Sequence, residues 1–502
     1  MRTSTAQDFP PPLSGEDQAG GPSTTNVAEP TPRRWTSLAF VALAQLMVAL
    51  DATIVSIALP SAQAGLHASD ADRQWVITAF TLSFGGLLLL GGRFADFFGR
   101  KRAFLVGLTG FAIASALGGS APNFAVLVGA RALQGAFGAL LAPTALSLLA
   151  TTFTEPKERA KAFAVYGAIA GSGAAAGMLL GGVLTQYLTW RWCLYVNIPI
   201  AVAAGIGGWL VLRDSRAVAK PRFDVLGVVL ASGGLVALVY GCTLAVSKGW
   251  RSTEVVSLLV ASIVLLALFV AWEARATNPL LPLRIVWDRN RGGAYLAVAL
   301  GIAGMFGAFL VLTYYLQVVL RFTPVQAGLA FLPMTLASQA GSWLIAARLM
   351  PRLPARALMA PGAVVAAAGM ALLTQLQPDT NYWTLVLPAE LLLGLGTSCV
   401  MVPAFSIGTL GVDRREAGIA AATVGTFQQI GGSLGVAVLN TIAASATAAY
   451  LAVSSNHLLR VQAIVHGYSV ATEWGVAILL LGAVVAAVLI NAGKPSASRQ
   501  PH

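Results

Sequence analysis

From Trp35 almost to its end, this 502-residue chain is a succession of apolar runs long enough to cross a bilayer, separated by short charged stretches. A spanning helix needs roughly 20 mostly apolar residues. Fourteen stretches qualify: residues 36–60, 75–92, 103–121, 124–150, 161–184, 193–212, 225–246, 255–272, 292–319, 325–347, 357–376, 383–408, 417–446 and 473–491. Only 10% of the residues are charged and 57% are hydrophobic, against about 25% charged in a soluble domain. An all-α polytopic membrane protein is the fold class this pattern allows.

One charged stretch orients the rest. Gly92–Arg102 (GRFADFFGRKR) carries four basic residues and one acid between two charge-free runs, Trp75–Gly91 and Ala103–Ala130. Lys and Arg in short loops stay on the cytoplasmic side, so this stretch reads as a cytoplasmic loop. Fourteen spans then place 25 of the 32 Lys and Arg on that side, six on the other and one, Arg131, inside a span. Both termini are expected in the cytoplasm, with the chain in the cell membrane. Trp190, Trp192 and Trp250 fall at outer span ends, where amphipathic rings sit at headgroup level. The longest outer loop is 447–472, with two His. The net charge of +12 follows from the loop bias, so no nucleic-acid partner is expected. Residues 1–35 read as a disordered cytoplasmic tail. They lack a signal-peptide pattern, which makes the first span an uncleaved anchor.

A faint repeat runs through the chain. A shift of 255 residues lays Gly92–Arg102 on Ala347–Ala357 (ARLMPRLPARA), Arg93 on Arg348 and Gly177 on Gly432. The expected organisation is a six-helix bundle over 36–212 and a linker with two extra helices over 213–291. A second six-helix bundle over 292–492 and a tail over 493–502 complete it. Transporters are often built from such repeats, with the substrate site at the repeat interface.

Four stretches together carry a resemblance. GRFADFFGRK is similar to the loop signature of the major facilitator superfamily. Leu50–Pro60 (LDATIVSIALP), Leu127–Gly138 (LVGARALQGAFG) and Trp190–Pro199 (WRWCLYVNIP) resemble motifs of its 14-span drug:proton antiporter branch. The resemblance implies the major facilitator fold, and a cytoplasmic latch formed by Gly92, Asp96, Gly99, Arg100 and Lys101. It also implies proton-coupled antiport exporting amphipathic or cationic drug-like molecules. Export of a lipid, siderophore or endogenous metabolite, or a non-transporting membrane sensor, are the alternatives. Two positions depart from the pattern. Phe97 stands where the loop signature has Arg, and Met178 stands where the fifth-span exporter motif has Pro. Gly173, Gly177 and Gly181, with Gly182 beside them, still leave a small-residue stripe for close helix packing; Thr426–Gly435 has a looser one.

Charges inside apolar spans are the sharpest functional signal, because each costs ~2.5–3.5 kcal/mol on insertion scales. Asp51, Arg131 and Glu390 are expected at similar depth, ~10–14 Å from the outer surface at ~1.5 Å per residue. Asp51 is the expected proton carrier, Arg131 its tuner and Glu390 a second acid or cation contact. A buried ion pair that merely orients two helices is the competing explanation. Gln45, Phe306, Phe309, Tyr314, Gln317 and Phe427 are candidates for an apolar substrate cavity. Glu273 and Glu473 lie near span ends and read as interfacial. Cys193, Cys242 and Cys399 show no metal spacing, and no nucleophile–base pair or nucleotide loop marks an enzyme. No cofactor is expected beyond the proton gradient; protons, a small-molecule substrate and the bilayer are the expected partners, and the protein is expected to act as a monomer.

Overall fold

A computed structural model describes residues 34–69, 72–153, 155–212, 224–276, 279–281, 283–350, 352–409, 417–453 and 460–491. Within these residues the chain is all helix and turn, with no strand. The long helices are α1 (Arg34–Gly65), α2 (Trp75–Phe98), α3 (Arg100–Gly119), α4 (Phe124–Thr152), α5 (Pro156–Tyr187), α6 (Asn197–Val211) and α7 (Val225–Lys248). There follow α8 (Thr253–Glu273), α9 (Arg289–Val319), α10 (Pro324–Leu349), α11 (Arg356–Leu373), α12 (Leu387–Thr409), α13 (Ala417–Val453) and α14 (Arg460–Leu489). Among the described residues, twelve helices are long and apolar enough to cross a membrane. The apolar part of α2 is shorter, Trp75–Leu88, and α5 begins on a charged turn, Pro156–Lys161. The expected tail segments before Arg34 and after Asn491 lie outside the described residues, as does 213–223 of the expected linker.

Helix starts are written locally. Asn123, Asp224, Ser252 and Asp288 each accept a backbone N–H from the first turn they precede, which satisfies a donor that has no partner inside the helix. Thr323 and Gln326 form a reciprocal capping box that starts α10.

Two stretches read as loops are helical. Gly92–Phe98 continues α2 and Arg100–Arg102 opens α3, so the connection shrinks to Gly99, at φ 98°. A side chain is disfavoured at that φ, and glycine reverses the chain in one residue. The expected outer loop 447–472 is also largely helix: α13 runs on to Val453 and α14 begins at Arg460. Ala463, Val465, Tyr468 and Ala471 are buried there, and this packing holds the extensions helical.

Packing pairs follow one scheme twice. α1 packs on α4, α5 and α6; α4 packs on α2 and α3; α3 packs on α6. Eight helices later α9 packs on α12, α13 and α14, α12 on α10 and α11, and α11 on α14. Small residues make the close contacts. A Cβ on Gly177 would stand 2.6 Å from the Leu50 carbonyl oxygen, and one on Gly181 2.8 Å from that of Ile54, so the stripe on α5 seats against α1. In α13 the matching approach is made by Gly431 and Gly435 against Ala299 and Ala303 of α9. Gly432, which the 255-residue shift selects, has only ordinary contacts at 3.6 Å. The repeat is therefore one residue out of register at this point, about 100° around the helix.

The hairpin α7–α8 lies beside the junction of α2 and α13. Ser232 donates to the Gly86 carbonyl at 3.2 Å, and Thr441 donates to that of Cys242 at 3.4 Å. Glu273, expected at the interface, is buried instead. Its carboxyl accepts the N–H groups of Leu280 and Leu281, which folds the following segment back onto the hairpin. Three wider π turns interrupt the second half, at Tyr315–Val319, Gly341–Ala346 and Tyr382–Val386. Such turns are frequent at functional sites.

Candidate functional site

The charged centre of the first half is built from five helices. Asp51 of α1 and Arg131 of α4 are 0% and 2% exposed and form an ion pair at 2.5 Å. Gln134 lies three residues after Arg131, on the same helix face; it donates to Asp51 Oδ1 at 3.1 Å and to Ser115 Oγ of α3 at 2.8 Å. Asn197, the first residue of α6, donates to Asp51 Oδ1 at 2.7 Å. Arg131 also donates to Gln134 Oε1 at 2.9 Å and to the Val76 carbonyl of α2 at 3.0 Å, and lies over the Phe80 ring. Both carboxylate oxygens are thus engaged by three donors. A buried ion pair overcomes its desolvation only with such added hydrogen bonds.

Glu390 does not join this cluster. It is fully buried in α12, which packs on α9, α10 and α11 rather than on α1 or α4. Its Oε2 lies 3.3 Å from the Tyr382 hydroxyl, which donates at 2.7 Å to the Ala330 carbonyl of α10. Its Oε1 has no hydrogen-bond partner. The expected grouping of two carboxylates and one cation therefore divides. Glu390 belongs to the second half, whose helices pack on one another, and so it faces a different interior.

Most residues proposed for a cavity are engaged in the protein. Gln45 accepts the Tyr166 hydroxyl at 2.5 Å. Phe309 packs on Phe331, and Phe427 stacks on Tyr295; Phe306 lies half-buried between two apolar clusters. Tyr314 donates to Gln63 at 2.6 Å, and Gln317, turned by the π segment of α9, donates to the Ile57 carbonyl at 3.0 Å. None of the six lines the apolar groove of about 460 Å³ that opens between α1 and α5, beside Trp35, Leu43, Leu46, Val165 and Ile169.

Tyr314 and Gln317 belong instead to a seam joining the two halves. Arg73 lies over the Tyr314 ring at 3.7 Å and donates to Asn440 of α13 at 3.1 Å. Gly182 of α5 lies against Pro324, and Gly328 of α10 against the Met178 carbonyl. Thr335 donates weakly to Met178 Sδ at 3.7 Å. Met178 is thus a buried seam residue at the position where the resembling motif has Pro. Thr81 and Ser433 are 2.5 Å apart about two turns further in. Most of these contacts gather at the end of the molecule opposite Gly99.

At the Gly99 end, Gly92 faces Pro143 of α4, and Lys101 donates to the Trp209 carbonyl at 2.6 Å, near the end of α6, a position where cations are favoured. Arg100 opens α3. The Asp96 side chain, and residues 410–416 between α12 and α13, lie outside the described residues.

Gln134, Asn197, Tyr382, Arg73 and Asn440 were not singled out from sequence. Gln134 was within reach of a pattern, as the polar residue three positions after a span-embedded Arg. Asn197 was an unexplained amide inside an apolar run. Tyr382 and Asn440 give no one-dimensional signal.

The Major Facilitator Superfamily profile matches residues 41–436. The chain is 54% identical over 471 residues to the puromycin resistance protein pur8 of Streptomyces alboniger, covering 93% of each chain. It is 37% identical over 440 residues to the cephamycin export protein CmcT of Amycolatopsis lactamdurans, covering 87% of this chain and 90% of that one. Its fold is similar to that of a bacterial homologue of the human lysosomal transporter Spinster, crystallised in an inward-facing, unoccupied conformation. The TM-score is 0.65 at 16% identity, covering 92% of this chain and 97% of the other. The chain belongs to the major facilitator superfamily, and is a membrane transport protein rather than an enzyme.

Proposed function

We propose that this protein is a proton-coupled antiporter that exports amphipathic or cationic antibiotic-like molecules by alternating access, with puromycin the first candidate substrate. The observation that carries the proposal is 54% identity along 93% of both chains to a puromycin resistance protein. Fourteen spans, both termini in the cytoplasm, and bundles over 36–212 and 292–492 joined by the α7–α8 hairpin are the proposed organisation. The twofold recurrence of the packing pairs supports it. With the Gly99 end cytoplasmic, the seam of Gln317, Tyr314 and Arg73 closes the outer side. Asp51, Arg131 and Glu390 are the span-embedded ionisable groups available for coupling, and Asp96 with its neighbours acts as the inner latch. The proton gradient supplies the energy, no cofactor is required, and the monomer suffices.

A second reading, export of a metabolite made by the host cell, draws on the similarity to the cephamycin export protein. Everted membrane vesicles test both. Accumulation of puromycin on imposing a pH gradient, lost when the gradient is collapsed, supports drug antiport. No puromycin accumulation, with uptake of a different antibiotic from a chemically diverse panel, favours the second. A reporter fused after His502 that is active only outside the cell would overturn the topology.

A further inference from the structure

Glu390 is fully buried in the second half, with one carboxyl oxygen unpartnered and no ion pair among the described residues. Its hydrogen-bonding neighbour is Tyr382. A tyrosine hydroxyl has one proton to give. That proton is committed to the Ala330 carbonyl at 2.7 Å, which can only accept. While that proton stays on the Ala330 carbonyl, the longer contact, 3.3 Å between Tyr382 Oη and Glu390 Oε2, is a hydrogen bond when Glu390 brings a second proton, as a neutral acid donating to the phenol. Asp51 is the opposite case. Arg131, Gln134 and Asn197 all donate to it, and a neutral acid there would leave one of those donors facing a proton. Tyr315 of α9 donates to the Gln377 carbonyl, while Asp379 and Arg321 sit exposed in the adjoining turns.

We infer that Glu390 is the site where the coupling proton binds, and that Tyr382 relays its presence to the backbone of α10; this rests on the antiport reading above. With the proton present, Glu390 donates to Tyr382 and Tyr382 donates to Ala330. When the proton leaves, the carboxylate draws the hydroxyl hydrogen to itself and the Ala330 carbonyl loses its donor. Ala330 lies two residues beyond Gly328, which seats α10 against the Met178 carbonyl of α5. The relay thus ends beside a contact that holds the halves together. Asp51 and Arg131 are a fixed strut within the first half. Tyr382 is a positioning residue, since it acts through Glu390.

Proteoliposomes with labelled puromycin separate the possibilities. Glu390→Gln, whose amide donates to Tyr382 as the acid would, is expected to lose gradient-driven accumulation at least tenfold yet retain gradient-independent counterflow. Tyr382→Phe is expected to keep counterflow and flatten the pH profile of driven transport. Wild-type-like driven accumulation by Glu390→Gln overturns the inference. If the wild type itself shows counterflow but no response to the gradient, the antiport reading fails, and this inference with it. Should Glu390→Gln fail to fold, or puromycin not be carried, dicyclohexylcarbodiimide labelling of the unmodified protein decides. This reagent modifies protonated carboxyls in apolar surroundings. An adduct on Glu390 and none on Asp51, read by mass spectrometry, is expected; the reverse, or no adduct on Glu390, overturns the assignment.

Discussion

Arg131→Met tests whether the Asp51–Arg131 pair holds the first half together. The substitution keeps an apolar stem of similar reach and removes the cation paired with Asp51, a carboxylate with no exposed surface. Asp51 would keep two amide donors, Gln134 and Asn197, and an uncompensated buried charge. Breaking a buried pair from one side costs about 3–5 kcal/mol, roughly two to four powers of ten in the folded-to-unfolded ratio. Adding Asp51→Asn removes the orphaned charge, so the double variant should recover about 2 kcal/mol or more over Arg131→Met alone. Such a coupling is what a double-mutant cycle isolates. All three cysteines, Cys193, Cys242 and Cys399, are buried, so a thiol-reactive dye reports unfolding of the detergent-solubilised protein without added labels. If Arg131→Met unfolds within about 1 kcal/mol of the wild type, or the double variant is no more stable than the single, the pair is not the strut described here.

Two further outcomes follow from the packing. Gly177→Val places carbon against the Leu50 carbonyl, where even a Cβ would stand at 2.6 Å, and should cost about 1–3 kcal/mol by overpacking. Gly129→Ala, with nothing within 4 Å of the added carbon, should instead match or exceed the wild type by up to about 1 kcal/mol; equal thermal midpoints for the two variants would refute the assigned α5–α1 contact. Arg73→Ala removes a cation–ring contact and a hydrogen bond at the seam, together about 2 kcal/mol, roughly a thirtyfold shift toward opening. Labelling of Ile57→Cys by an impermeant maleimide added outside should rise several-fold in that background, and an unchanged rate would show that the seam does not gate access.

The amino-acid sequence determined by itself the all-helical class, the cytoplasmic-side assignment to be tested, and which ionisable residues lie among apolar helices. These properties are one-dimensional. Lipid as solvent requires helices of set length, and charge accumulates in short connections whatever their partners are. Partner choice is different, because each residue turns a helix face by about 100°. Asp51, Arg131 and Glu390 look alike in the sequence, as single charges in apolar runs at similar depth. Only the packed helices give Asp51 three donors and Glu390 one phenol. The same rotation separates Gly431, pressed against Ala299, from Gly432 beside it. Connections escape the sequence for a related reason. Whether Gly92–Arg102 loops or stays helical depends on the single positive φ at Gly99. Whether Arg460–Thr472 is helix depends on the apolar surface that buries Ala463, Val465, Tyr468 and Ala471. Neither the backbone angle nor the neighbouring surface is written in the local string of residues; both exist only once the helices have met.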